Sequence, residues 1–397
     1  MTSLNTARKN LTDRPTKFPS KSSFLVCVSV VLATLSVSVI SIPSWSHLFH
    51  NISFAHEGGV EGKSQDSLPE AGKIELRFEN LVVTPQHGPN LVLWIRNGLS
   101  HSIVGTLRIT VPAAWQLDRT QSELALEPGT IHRMAFLIRS AQGSDQNAFP
   151  VEAEISAGDL AVSHRQVIQT AAAPNFRVTV DGNFDEWEAA IPAGWETAGK
   201  QTTVSSGWNR RQFALLVAVE ESTLLLLEPG ENKPRDAVQV AISPRHAQLP
   251  KTEVDPVGRW EWLLVPISEN GPGVCYQLAT PDTPLKECRN PRPLEQLRVR
   301  EVPLWTKRER NTTYYEWAIP MDWLSEKIRP AEGREFNLSL LIHDSDGTGL
   351  RDWGEAAGLW PGQRSHAAWS HWPGAVWQLR VPPFDCRTPW GLCSSKY

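Results

Sequence analysis

The sequence predicts a mostly β chain: two β-sandwiches in succession behind an N-terminal transmembrane helix. Three observations carry that expectation. Short runs alternating apolar and polar residues recur from residue 72 onward, divided by turn signals such as Asn97-Gly98 and Glu127-Pro128-Gly129. Thirty Pro and twenty-six Gly, with no long stretch of helical period, favour strands and turns. One uncharged run near the N-terminus is long enough to cross a bilayer.

Residues 1–23 form a basic tail, with Arg8, Lys9, Arg14, Lys17 and Lys21 against Asp13 for a net charge of +4. The whole chain carries −4, so everything after the tail nets −8. An acidic body without a basic stripe excludes nucleic acid as the main partner. Phe24 to Ile42 gives nineteen residues without a charge, closed by Pro43. At 1.5 Å per residue a helix of that length spans the hydrocarbon core, and the basic flank holds its start in the cytoplasm. The expectation is a signal anchor over 24–42 with the bulk of the chain extracytoplasmic. Cleavage near Ser53-Phe54-Ala55, which would give a secreted protein, is the alternative. Residues 43–71 read as a polar linker.

From 72 to 170 the strand runs are Lys73–Phe78, Asn90–Arg96, Gly105–Val111, His132–Arg139, Val151–Ile155 and Ala161–Gln169. Gly105-Thr-Leu-Arg-Ile-Thr-Val-Pro-Ala-Ala-Trp115, set between Asn97-Gly98 and Glu127-Pro128-Gly129, resembles the immunoglobulin-like modules found beside carbohydrate-active domains. That resemblance implies a spacer sandwich in which Trp115 is a buried plug. Ala171-Ala172-Ala173-Pro174 reads as a short linker. The second sandwich, 174–382, has its strand runs at Arg177–Val180, Gln212–Val219, Ala237–Ile242, Trp260–Pro266, Tyr314–Ile319, Glu335–His343 and Ala375–Val381, with one or two helical turns around Met321–Ile328. A tail, 383–397, carries the last cysteine pair. Cys275 with Cys288 and Cys386 with Cys393 are the simplest disulfides in an exported chain, although three pairings are possible. Each closed loop would stabilise by about 3 kcal/mol.

Four stretches occur in a telling order. Val180-Asp-Gly-Asn-Phe-Asp-Glu-Trp187 is followed by Asp236-Ala-Val-Gln-Val-Ala-Ile242 and Tyr315-Glu-Trp-Ala-Ile-Pro-Met-Asp-Trp-Leu324. Phe336-Asn-Leu-Ser-Leu-Leu-Ile-His-Asp-Ser-Asp-Gly347 comes next, with Trp369 and Val376-Trp-Gln-Leu379 beyond it. Over about 174–382 this resembles the family 9 carbohydrate-binding module and its relatives with the DOMON-like jelly-roll sandwich. The resemblance implies a sugar gripped between two Trp faces with polar side chains at the rim. Trp369 falls near the second of those faces. Asn232-Lys-Pro-Arg235 stands where the first aromatic belongs, and Gln239 where the family commonly has Glu.

Seventeen Trp, against twelve Phe and four Tyr, offer replacements. Trp208 beside Arg210, and the group Trp360, Trp369 and Trp372, have Gly and Pro neighbours that place them in loops. They are the candidate sugar platforms, with Arg210, Asn209 and Gln363 as hydroxyl partners. Trp187, Trp262, Trp317 and Trp377 read as structural. Asp344 and Asp346 on a sharp loop read first as turn stabilisers and second as calcium ligands. The expectation is therefore a non-catalytic carbohydrate-binding protein of the cell envelope, with a separate glycoside hydrolase as a partner. Glu261, Glu316, Asp352 and Glu355 supply carboxylates, but no spacing ties two of them into a catalytic pair. Two rivals are a structural envelope scaffold and a haem-binding electron carrier. The latter would draw axial ligands from Met134, Met321, His343, His366 and His371.

Overall fold

Alternation decides the first sandwich. In a computed structural model describing residues 72–197, 199–231, 236–245, 258–284, 292–346 and 389–394, β1 (Ile74–Phe78), β2 (Asn90–Asn97), β6 (Ile131–Ser140) and β4 (Gln116–Leu117) form one antiparallel sheet. The facing sheet runs β5 (Gln121–Leu126), β3 (Ile103–Thr110), β7 (Phe149–Ala157), β8 (Leu160–Ile168). Inward residues such as Phe78, Leu91, Leu93, Ile95, Leu107, Phe136 and Ile155 make one core. Trp115 plugs it as expected: it is 5% exposed, lies 5.0 Å from the Phe149 ring and donates from Nε1 to the Gln142 carbonyl at 3.1 Å.

The second sandwich pairs a six-stranded sheet with a seven-stranded one. The first runs β10 (Ala193–Thr197), β11 (Lys200–Trp208), β12 (Gln212–Glu220), β19 (Thr312–Pro320), β18 (Leu304–Glu309), β15 (Asn270–Pro272). The other runs β17 (Arg298–Val299), β16 (Val274–Ala279), β14 (Trp260–Val265), β13 (Ala237–Pro244), β20 (Glu335–His343), β21 (Pro389–Leu392), β9 (Ala172–Ala173). Nearly every residue of the central strands is buried, the outward-facing ones included. Between the sheets, Trp262 meets Trp317 at 5.2 Å and Phe213 meets Phe336 edge-on at 5.4 Å, so aromatic pairs bridge the layers. Arg177–Val180 is not a strand; with Phe184 and Trp187 it covers the outer face of the six-stranded sheet. After the strand-ending Pro320, a single 3-10 turn spans Met321–Leu324.

Two stretches differ from their sequence reading. Ala171–Ala173 is no free linker: all three residues are fully buried, and β9 pairs parallel with β21. The described part of the tail is likewise built into the sheet, since β21 sits between β20 and β9. Small side chains permit this. A Cβ on Gly391 would meet the Val82 carbonyl oxygen at 2.5 Å, so only glycine lets β21 lie against the first sandwich. Cys275 and Cys393 are buried free thiols, which corrects the disulfide expectation at both; Cys288 and Cys386 lie outside the described residues. Burial raises the Cys275 thiol to about 12 and the Cys393 thiol to about 11, which keeps both protonated.

The two sandwiches share polar contacts. Glu79 accepts from Arg245 at 2.7 and 2.9 Å and from Trp94 Nε1 at 2.6 Å, while Arg245 also reaches Glu335 at 3.2 Å. Asn147 bonds Thr170 and the Pro192 carbonyl. Residues 24–42 lie outside the described residues; among those described, no helix is long and apolar enough to cross a membrane.

Candidate functional site

The outer face of the seven-stranded sheet is lined by Ala237, Ala241, Leu263, Val265, Tyr276 and Leu341. Across it runs a polar row. Glu261 on β14 accepts from Arg259 Nε at 3.0 Å and Nη2 at 2.9 Å. Gln239 on β13 donates its amide to Glu261 at 3.0 Å. Because the carboxylate can only accept, the Gln239 oxygen is left to receive the imidazole Nε2–H of His343, 2.7 Å away on β20. Register explains the geometry: Gln239 faces Leu341 and Leu263, so its bonds to His343 and Glu261 are diagonal ones to the same sheet face. Arg259, Glu261 and Gln239 are fully buried and His343 nearly so. Gln239 was noted in the sequence as a departure from the family pattern. Glu261 and His343 stand out in the sequence only for other chemistry and Arg259 not at all, because their convergence on Gln239 depends on how β13, β14 and β20 pair.

A second polar cluster closes one end of the sandwich. Glu221 follows β12, Asp236 precedes β13 and Asp344 follows β20, and carboxylate oxygens of the three lie within 4.8 Å of one another. Lys200, at the start of β11, places its ammonium 3.1 Å from Asp344 and 3.8 Å from Asp346. Burial pushes Glu221 up to about 8 and Asp236 to about 6, with the neighbouring carboxylates adding to both shifts. Burial raises Asp344 as well, and a hydrogen bond from Asp344 lowers Asp346.

For calcium, the donor chemistry is right but the acceptors are engaged. Asp236 receives the amides of Leu225 and Ser345, Glu221 receives Arg308 at 3.3 Å, and Lys200 supplies the cation beside Asp344 and Asp346. Calcium takes six to eight converging oxygens, which the described residues do not present.

Of the sugar-platform candidates, Trp208 and Arg210 lie among the described residues. Trp208 is a core residue: only 8% exposed, it donates from Nε1 to the Cys393 carbonyl at 2.6 Å, which corrects its reading as a loop platform. Arg210 is exposed on the turn between β11 and β12. Asn209 shapes that turn by accepting the amides of Arg211 and Gln212. Trp360, Gln363, Trp369 and Trp372 lie outside the described residues, as do Trp377, Asp352, Glu355, His366 and His371.

Two carboxylates considered for catalysis lie on opposite outer faces. Glu261 belongs to the polar row. Glu316 sits on the six-stranded sheet, where it accepts Trp187 Nε1 at 2.8 Å and the amides of Asp181 and Gly182 at 2.9 and 2.8 Å. It is the anchor of the Asp181-Gly182-x-x-Asp185-x-Trp187 motif. Gly182, at φ +81°, lies where a Cβ would strike Trp305 Nε1 at 2.3 Å. For haem, Met321 packs in the core between the sheets while His343 faces the other way, so the two cannot share an iron.

No family model matches the chain. No curated protein matches it either. Among solved structures, it is similar to a carbohydrate binding module family 9 from Caldicellulosiruptor kristjanssonii in complex with glucose, at 13% identity and a TM-score of 0.30, over 44% of this chain and 79% of that one.

Proposed function

We propose that the second sandwich is a non-catalytic carbohydrate-binding module that takes sugar on the outer face of its seven-stranded sheet. The observation that carries the reading is the row Arg259–Glu261–Gln239–His343, a set of oriented donors and acceptors on an otherwise apolar floor. Ligand sites combine such a floor with a few fixed polar groups. Trp360, Trp369 and Trp372 are the stacking candidates, and Arg210 an outlying one. Residues 24–42 would hold the module outside the cell membrane, where a separate hydrolase would supply any bond cleavage.

The test is intrinsic Trp fluorescence of the purified chain, titrated with mono- and oligosaccharides and repeated for Gln239→Ala and Trp369→Ala. A saturable shift, lost in variants that melt as the parent does, supports the reading. Complete burial of the row favours a second one, in which it is a structural network specifying how this sheet packs within an envelope scaffold. Absence of any shift across a broad panel selects the scaffold.

A further inference from the structure

We propose that Lys200 and Asp344 condense into an isopeptide bond that staples the two sheets of the second sandwich together, with Glu221 as the proton carrier. The inference is independent of sugar binding.

Its basis is placement. Lys200 opens β11 in the six-stranded sheet, and Asp344 leaves β20 in the seven-stranded one. Nζ lies 3.1 Å from Asp344 Oδ2, closer than to Asp346 at 3.8 Å. The Asp344 side chain is 2% exposed and that of Lys200 21%, so bulk water has little access to the carboxyl carbon. Glu221 is held against the pair from several sides. Its amide donates to the Asn311 carbonyl at 2.8 Å, Arg308 donates to its own carbonyl at 3.2 Å, and its carboxyl lies within 4.8 Å of that of Asp344.

The step balances without a co-reactant. An ammonium and a carboxylate contain the atoms of an amide plus one water. The ion pair first passes one proton from Nζ to Asp344, and the freed lone pair attacks Cγ to form the C–N bond. Glu221, which burial keeps protonated near neutrality, gives its proton to the departing hydroxyl, which leaves as water, and regains one from the new amide nitrogen.

Tandem mass spectrometry of a tryptic digest of the full chain tests this. A bond at Lys200 blocks cleavage there, so residues 178–210 and 335–351 are expected as one branched species lighter than the sum of the two by one water. Lys200→Arg preserves the ion pair but cannot form the amide, and is expected to give the separate peptides. Glu221→Gln is expected to slow formation by about a hundredfold or more. Separate 178–200 and 201–210 peptides from the folded parent chain would overturn the proposal. So would a water loss mapping to Asp346-Gly347, where backbone imide formation gives the same mass change.

Discussion

Glu316 shows how much one buried carboxylate can organise. Three N–H groups converge on it, and burial raises its pKa while the hydrogen bonds from Trp187, Gly182 and Asp181 oppose that rise. Glu316→Ala orphans all three donors and is expected to cost about 3 kcal/mol, read as a lower denaturant midpoint at unchanged slope. Glu316→Gln keeps one acceptor oxygen and should cost less. Glu221 makes a pH prediction. An acid whose folded value lies above its unfolded one keeps a proton in the fold that the unfolded chain has released, so stability falls as pH rises between the two values. For Glu221 that window runs from 4.5 to about 8, and for Asp236 from 3.8 to about 6. Thermal midpoints should decline between pH 5 and pH 8, and Glu221→Gln should flatten the upper part of the decline. The motif around Trp187 was legible in the sequence because its turn chemistry is local. Trp208 was not: Gly207 and Asn209 make its surroundings look like a loop, whereas its contact with Cys393 joins distant parts of the chain.

Among the elements, β21 carries the sharpest test. Trp390 is 3% exposed and donates from Nε1 to Ser206 Oγ at 2.7 Å. Trp390→Ala should cost about 3–5 kcal/mol. Gly391→Ala, pressed on the Val82 carbonyl, should cost about 1–3 kcal/mol, whereas Gly199→Ala, at a left-handed turn with open space around it, tests backbone strain alone. Denaturant melts separate the two causes. Strands with clear alternation or a dense apolar run, such as β2, β12 and β20, were legible almost to the residue. Those built of small and polar residues were not. Lys200–Trp208 reads as a polar stretch with Thr, Ser and Gly, yet Thr202 to Trp208 are all buried because covered sheets hide both faces. Ala172–Ala173 has no pattern to read; its strand identity comes from β21 alone.

For the whole molecule, the two sandwiches are joined by buried polar contacts. Removing Arg245 leaves Glu79, 7% exposed, with Trp94 and a distant Arg133 as partners. Calorimetry of the parent should show one transition covering both sandwiches, and Arg245→Met should lower it by about 3 kcal/mol or split it in two. The position of β21 has a further consequence, in the order in which the chain is synthesised. The ribosome releases β9 and β20 before the strand that fits between them exists. Until residue 392 is out, both carry an unpaired edge, and β9 waits while nearly the whole second sandwich is made. Any copy of the chain cut short before Pro389 would lack the strand that closes those two edges.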